Sequence, residues 1–417
     1  MSKNVLLKTK VIGVGAAGNK AAITLLEKGI IDSDDVLLIN SSIRDVPEKY
    51  HSNLISFGGT HGCGKERNLA QKMIGVAIRN NQAFLEGYLK DRPQSVIIVT
   101  SVEGGTGSGA SITLGQYISK VLKLNVHMFA FTGFEDDVRG LKNTVDWFKE
   151  LSNDWIVEAI SNKKFLSDGV TKRQAEVLAN EEFAKRMEIL FGGQIQPSSA
   201  NMDERDLYKV ATQPGFMTIE HVNFGKLTSK EAFISGLKDI ITNSKSVPTV
   251  ASALLMGVIV NVQAKAQTFV NEQFDQIKED YGTPYELFYH NQSTYDNDYL
   301  DVIISGLKIP IDYVKETYEK YSNQLAEVDS RKDSFFNQEA FKIFDTENAS
   351  QFDKSDSNDA IGSDFLQAGN VAQSAKADNK YEINRDDENE FFKSLGIPEK
   401  KDSREDFLKA ATVKREL

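Results

Sequence analysis

EGGTGSG (residues 103–109) follows the apolar run SVIIVT (residues 95–100) and precedes an apolar-periodic stretch at residues 111–122. Four glycines, Gly104, Gly105, Gly107 and Gly109, alternate with the hydroxyl residues Thr106 and Ser108. A strand that ends in such a turn and enters a helix presents backbone N–H groups and hydroxyls to an anion at the positive end of the helix dipole. The stretch therefore reads as a phosphate-cradling turn. A second loop of this kind, GVGAAGN (Gly13, Gly15, Ala16, Ala17, Gly18 and Asn19), directly follows the first apolar run at residues 5–14. Its G-x-G-x-x-G pattern also serves tight strand–helix packing, so alone it decides little. Two glycine turns after parallel strands of one domain point to a nucleotide phosphate.

Around these loops, strands are expected at residues 36–40, 53–57, 126–132 and 154–160, with helices at residues 20–28 and 68–88. The alternation predicts an α/β fold with a Rossmann-like, mostly parallel sheet, whose ligands bind at the carboxyl ends of the strands. A nicotinamide site wants an acid at the end of the second strand. VLLIN ends in Asn40, which argues against a dehydrogenase. A third loop, GGTHGCGKER (residues 58–67), contains G-x-x-x-x-G-K but continues with Glu66 where a P-loop needs Ser or Thr for Mg²⁺. Gly64, Lys65 and Arg67 still suit an anion such as a terminal phosphate. The other reading of the two bases is a solvated surface pair.

Beyond residue 170 the pattern changes. Phe183, Met187, Leu190 and Phe191 form a helical stripe that stops at Gly192 and Gly193. The expected organisation is a nucleotide-binding domain (1–170), a central helix (171–193) and a smaller mixed-sheet second domain (194–310). A long helix (311–344) and a tail (345–417) complete it. The second domain would carry strands at 216–224, 253–262, 286–290 and 301–307 and a helix at 264–281. Ile311, Val314, Tyr318, Tyr321, Leu325 and Val328 repeat with coiled-coil spacing, a seam for the chain's own domain or for another subunit. Residues 345–390 hold 12 acids and 4 bases with few large apolar side chains, a composition read as disordered. The last 27 residues carry the clusters Phe391/Phe392/Leu395 and Phe407/Leu408, suited to folding on a partner.

The chain has 417 residues, 40% hydrophobic and 26% charged, enough for two or three domains. A net charge of −11 argues against a general nucleic-acid binder. The basic residues Lys400, Lys401, Lys409, Lys414 and Arg415 leave room for weak contact by the tail. A lone cysteine, Cys63, and no signal-like start lead us to expect a cytoplasmic protein. No apolar run approaches the ~18–20 residues of a membrane span.

The glycine signature GGTGSG resembles that of the tubulin/FtsZ superfamily of GTPases, and further elements follow in the family's order. GVGAAGN looks like its first nucleotide loop, and residues 132–137 lie where its ribose-side loop should be. ISNKKF (160–165) is similar to the loop leading to the central helix, and ANE (179–181) to that helix's buried stretch. NMDERD (201–206) matches the loop pattern N-x-D-x-x-D. GCGKER, the long C-terminal helix and the acidic tail are most similar to the TubZ and phage-tubulin branch, whose filaments move or position plasmid or phage DNA. The resemblance implies GTP or GDP with Mg²⁺ in the first three loops. It places Asn162 near the nucleotide, Asn180 on the guanine and Asp136, among the acids 135–137, on the ribose. Glu103 stands where the family usually has Gly or Ala, close to the phosphates. The resemblance also implies that Asn201, Asp203 and Asp206 act on the nucleotide of the next subunit in a head-to-tail homopolymer. Their own nucleotide lies beyond a helix roughly 35 Å long. By residue type alone these three read as a capping and turn cluster. A DNA-bound adaptor on the tail is the implied partner. The other readings are a monomeric P-loop-like NTPase and a GTP-gated scaffold that hydrolyses poorly.

Overall fold

The computed structural model describes residues 8–58, 62–192, 202–247, 255–262, 283–293, 297–335 and 385–397. Ten strands form one sheet in the order β3-β2-β1-β4-β5-β6-β7-β10-β8-β9. They are β1 (Thr9–Val14), β2 (Val36–Asn40), β3 (Leu54–Ser56), β4 (Ser95–Ser101), β5 (Val126–Thr132), β6 (Ile156–Ser161), β7 (Gly215–Gly225), β8 (Leu255–Asn261), β9 (Glu286–Gln292) and β10 (Asp298–Leu307). The strands from β3 to β7 run parallel, β10 is antiparallel to both β7 and β8, and β8 and β9 are parallel. The fold is α/β, as the alternation of apolar runs predicts. The strands expected in a second domain extend the first sheet through β6–β7 pairing.

β1, β2, β4, β5 and β6 are buried nearly throughout because helices cover both faces, as parallel sheets require. Alternate side chains feed opposite cores. Ile12 and Ile98 pack with α2 (Arg67–Asn80), α4 (Gly105–Gln116) and α5 (Val138–Lys149). Val11, Ile97 and Val99 pack with α1 (Gly15–Glu27) and α6 (Lys172–Leu190). The helix expected over residues 68–88 is two, α2 and α3 (Gln82–Tyr88), broken at Asn81, whose side chain bonds back to the Ala77 carbonyl. α7 (Glu204–Thr212) and α8 (Lys230–Thr242) lie where no helix was expected. The helix expected at 264–281 lies outside the described residues, as do the end of the expected long helix (336–344), residues 345–384 of the tail and its Phe407/Leu408 cluster. Among the described residues no helix is long and apolar enough to cross a membrane.

α9 (Ile311–Phe335) packs on α5 through Tyr313, Val314 and Thr317, with the Tyr313 ring 5.9 Å from Phe148. The own-domain alternative thus holds for part of the predicted seam, and Ile311 and Tyr318 stay exposed. α10 (Arg385–Ser394) forms where residues 385–390 were read as disordered. It buries Phe391 and Phe392 against Tyr117, which transfer energetics value at about 1.5–3 kcal/mol per ring.

A buried charge cluster fastens α6 to the sheet. Arg186, 1% exposed, reaches Glu158 on β6 (2.5 Å), Ser246 (2.8 Å), Glu182 (2.7 Å) and Glu220 on β7 (3.8 Å). His127 Nε2 stands 4.0 Å from the second Glu158 oxygen. Burial pushes Glu158 up to about 7, against the pull of Arg186, and pushes His127 down to about 4.

Two outcomes follow from this cluster. Arg186→Ala leaves buried carboxylates unpaired and should cost about 3–5 kcal/mol of stability, read from the urea midpoint. His127 binds a proton more readily when unfolded, so its neutral burial adds stability as pH rises from about 4 towards 6.5. The stability gap between the wild type and His127→Gln should therefore widen over that window. A constant gap would show that His127 does not titrate on unfolding.

Candidate nucleotide site

Four parallel strands, β1, β4, β5 and β6, end on one edge of the sheet, and the loops after them converge there. Strand order reverses between β1 and β4, where crevices open in such sheets. α1 and α4 begin at that point. Neither has a side-chain N-cap or an acid in its first turn, so their leading N–H groups remain available to an anion. α5, α6 and α7, by contrast, are capped by Asp137, Thr171 and Asp203.

The two glycine loops touch. Gly15 has φ +77°, and a Cβ there would lie 3.1 Å from the backbone nitrogen of Gly107. Gly18 has the packing role that its motif also allows, since a Cβ would lie 2.1 Å from the Val99 carbonyl oxygen. Gly13 is within β1, and Ala16 and Ala17 are half-buried at the cradle's surface. Gly104 is the N-cap of α4, with open space where a Cβ would be. Gly105, Gly107, Ser108 and Gly109 are buried in α4, and the Ser108 hydroxyl donates to the Gly104 carbonyl (2.5 Å). Thr106 shares a 2.7 Å hydrogen bond with Ser41, which ties the end of β2 to the second glycine loop.

The loop carrying Gly64 and Lys65 leans on the same cradle. Both residues have positive φ, +53° and +64°. The Lys65 ammonium is half exposed and lies 2.6 Å from Asp137. Burial raises the Asp137 carboxyl, but its bonds from Lys65 and the Gly140 N–H more than offset this and hold it below its ordinary value. Arg67 is no phosphate ligand in this arrangement. It is buried and clamps Glu150 with two bonds of 2.6 and 2.7 Å, and Glu66 pairs with Arg139.

Asn143 of α5 went unnoticed in the sequence. Its buried amide donates to the carbonyls of Lys65 (3.1 Å) and Glu103 (3.0 Å), pinning two loops at once. An amide residue on the apolar face of the amphipathic α5 pattern was the available signal. The Glu103 carboxylate accepts from the backbone N–H groups of Phe134 (3.3 Å) and Glu135 (2.8 Å) and so shapes the ribose-side loop. Burial raises its carboxyl despite those bonds. All three acids of that loop are engaged. Glu135, at φ +61°, takes Lys163 (3.0 Å) and Lys320 of α9 (2.7 Å), Asp136 pairs with Lys172, and Asp137 holds Lys65.

Among the described residues, two buried amide oxygens at this edge have no partner, Asn19 Oδ1 on α1 and Asn162 Oδ1 just after β6. With the uncapped helix starts and the open space at Gly104, they fit a nucleotide that brings both phosphates and donors. Asn40 is buried and already bonded to the Ser42 carbonyl (2.8 Å) and Asp45 (3.0 Å), which leaves it a turn-forming role. Asn180 is half-buried on α6, which packs beside α1. Asp203 and Asp206 lie beyond the far end of α6, whose 19 residues span about 28 Å. They form a capping box on α7, Asp203 accepting from the Asp206 N–H (2.9 Å) and Asp206 from the Asp203 N–H (3.3 Å). Asn201 lies outside the described residues. Among those described, no group of three or more His, Cys, Asp or Glu side chains is arranged to hold a metal ion.

No family model matches the chain. The cell division protein FtsZ of Mycoplasmopsis pulmonis is 24% identical over 312 residues, covering 72% of this chain and 77% of that protein. The GDP-bound monomer of CetZ1 from Haloferax volcanii matches with TM-score 0.62 and 17% identity, over 76% of this chain and all of that one. A GTPγS-form protofilament of TubZ from Bacillus thuringiensis serovar israelensis matches with TM-score 0.63 and 16% identity, over 80% of this chain and 96% of that one. The fold is that of these tubulin/FtsZ-like structures, and the sequence is similar to FtsZ over most of the chain.

Proposed function

We propose that the protein is a GTP-dependent polymerising GTPase whose hydrolysis site is completed by a second subunit. The observation that carries this reading is the separation of two parts. The cradle of Gly15, Gly107 and the free starts of α1 and α4 lies at one end of α6, and the exposed Asp203 with Asp206 at the other. A chain that holds nucleotide at one end and paired carboxylates at the other joins them by head-to-tail stacking, a heterologous contact that does not close and so grows a filament. In this reading the leading amides of α1 and α4 hold the phosphates, Lys65 neutralises the terminal charge, and Asp203 and Asp206 orient the attacking water in the neighbour's site. Asn162 and Asn180 hold the ribose and guanine side. Mg²⁺, where bound with the phosphates, would supply further neutralisation of their charge.

Long α9 and the acidic composition of residues 345–390 favour the TubZ-like branch, and with it a filament that moves or positions plasmid or phage DNA through an adaptor on the tail. Sedimentation with GTP, ATP or a slowly hydrolysed GTP analogue, with phosphate release followed in parallel, tests the core of the reading. Polymer should pellet with GTP, and release per subunit should begin only above the assembly threshold. Concentration-independent release without a pellet would instead identify a monomeric NTPase, and pelleting without release a GTP-gated scaffold.

Substitutions at two positions sharpen this. Asp203→Asn keeps a side-chain N-cap and should leave stability nearly unchanged while lowering assembly-stimulated hydrolysis at least tenfold. Asp203→Ala should lose hydrolysis and, in addition, about 0.5–2 kcal/mol of stability. Full hydrolysis by Asp203→Asn would reduce the pair to a cap. Asn143→Ala leaves the Lys65 and Glu103 carbonyls unpaired. It should cost about 1–3 kcal/mol in urea unfolding and weaken GTP binding, read by fluorescent-nucleotide titration.

A further inference from the structure

The last described segment, residues 385–397, is built to sit on this chain. α10 carries Asp386, Asp387 and Glu388 in its first turn, which suits the helix dipole. It ends in a Schellman motif. Gly396 takes φ +69°, its N–H bonds the Lys393 carbonyl (3.0 Å), and the Ile397 N–H bonds the Phe392 carbonyl (3.0 Å). A helix of ten residues is marginal alone, so its order comes from what it covers.

What it covers is a specific groove on the nucleotide-binding domain. Phe391 and Phe392 place their rings 5.5 and 6.3 Å from Tyr117, at the point where α4 passes into a π-turn over Tyr117–Val121. The Arg79 guanidinium of α2 lies 4.3 Å from the centre of the Phe392 ring. Lys123 pairs with Asp387 at 2.9 Å. Gly75 of α2 makes room for the apolar end, since a Cβ there would come within 2.8 Å of both Leu395 and Ile397 side chains. Aromatic, cationic and steric features of the groove each have a counterpart on the helix.

We infer that this groove is a docking site for an acidic helix bearing adjacent phenylalanines and a Leu-Gly-Ile end, and that its occupant is residues 385–397 of the same chain. The contact acts as a clasp. It bridges α2 and the end of α4, the ends remote from their phosphate-side starts. Residues 336–384 connect α9 to the groove. A free chain of that length has a root-mean-square span of about 40 Å, enough to allow docking on its own body. The inference stands on packing alone and does not depend on the nucleotide reading.

Hydrogen exchange on the full chain tests it. Amides of residues 391–397 should exchange at least tenfold more slowly in the wild type than in Gly75→Leu, whose side chain fills the groove. That protection should not change on tenfold dilution. Protection that falls on dilution assigns the groove to a second copy and overturns the clasp, as does equal exchange in both proteins. A second measurement leaves the body untouched. A fluorescent peptide of residues 385–397 should bind the full-length Phe391→Ala/Phe392→Ala variant at least tenfold more tightly than the wild type, whose groove is filled. No capture by the variant at about 1 mM peptide, on the order of the local concentration an intramolecular linker provides, or equal capture by both, would falsify the proposal.

Discussion

The contact between the backbones of Gly15 and Gly107 constrains the rest of the nucleotide edge. Two loops meet this closely only if their strands are neighbours and parallel, which β1 and β4 are. It also requires the reversal of strand order to fall between them, so that α1 and α4 leave the sheet on opposite faces and open a crevice. With the helix starts aimed into that crevice and uncapped, the surrounding loops take supporting places. Asn143 ties the Lys65 loop to Glu103, Glu103 ties itself to the ribose-side loop, and Glu135 carries the connection on to α9 through Lys320. The cradle is a chain of loops held by buried or half-buried polar bonds, and each bond stays strong because its neighbours keep water away.

Much of this was legible in the sequence because the informative features are local. An apolar run followed by glycines gives strand, turn and helix within about fifteen residues, and EGGTGSG and GVGAAGN landed on the helix starts they predicted. What was illegible depends on residues far apart. Arg67 looked like an anion ligand because nothing near it hinted at Glu150, some eighty positions away. Asn40 told only against a dehydrogenase, because its turn partners Ser42 and Asp45 are ordinary loop residues that gave no sign of its bonds. Glu103 was expected close to the phosphates, either acting there or pointing away, and its acceptors take amides of a loop thirty residues on. The helix over residues 385–394 straddles the acid-rich segment and the Phe391/Phe392/Leu395 cluster, so only its apolar end read as able to fold and its acidic first turn did not.

The capping role of Asp203 and Asp206 is compatible with the chemical role proposed for them. Their capping box uses one oxygen of each carboxylate for a backbone N–H. Each retains a second oxygen, and Asp203 is exposed. The cap therefore acts as a positioning device, holding two carboxylates at a fixed distance and orientation on the start of a helix. A carboxylate that must meet a ligand on another molecule gains from being ordered before contact, because the entropy of fixing it is spent on folding and not on association.

The same logic extends to α6, which sets the distance between the two ends. Its middle is fixed by Arg186, which binds β6 through Glu158 and approaches β7 through Glu220, the two strands where the nucleotide half of the sheet meets the remainder. A slip of one helical turn, about 5.4 Å, would withdraw the guanidinium from both strands and leave their carboxylates buried without a counter-ion. Intermediate positions are no better, since a buried charge gains little from a partner it half reaches. The register of α6 is thus held as one discrete arrangement, and the nucleotide cradle and the Asp203 cap are spaced by a rigid element whose length the sheet itself enforces.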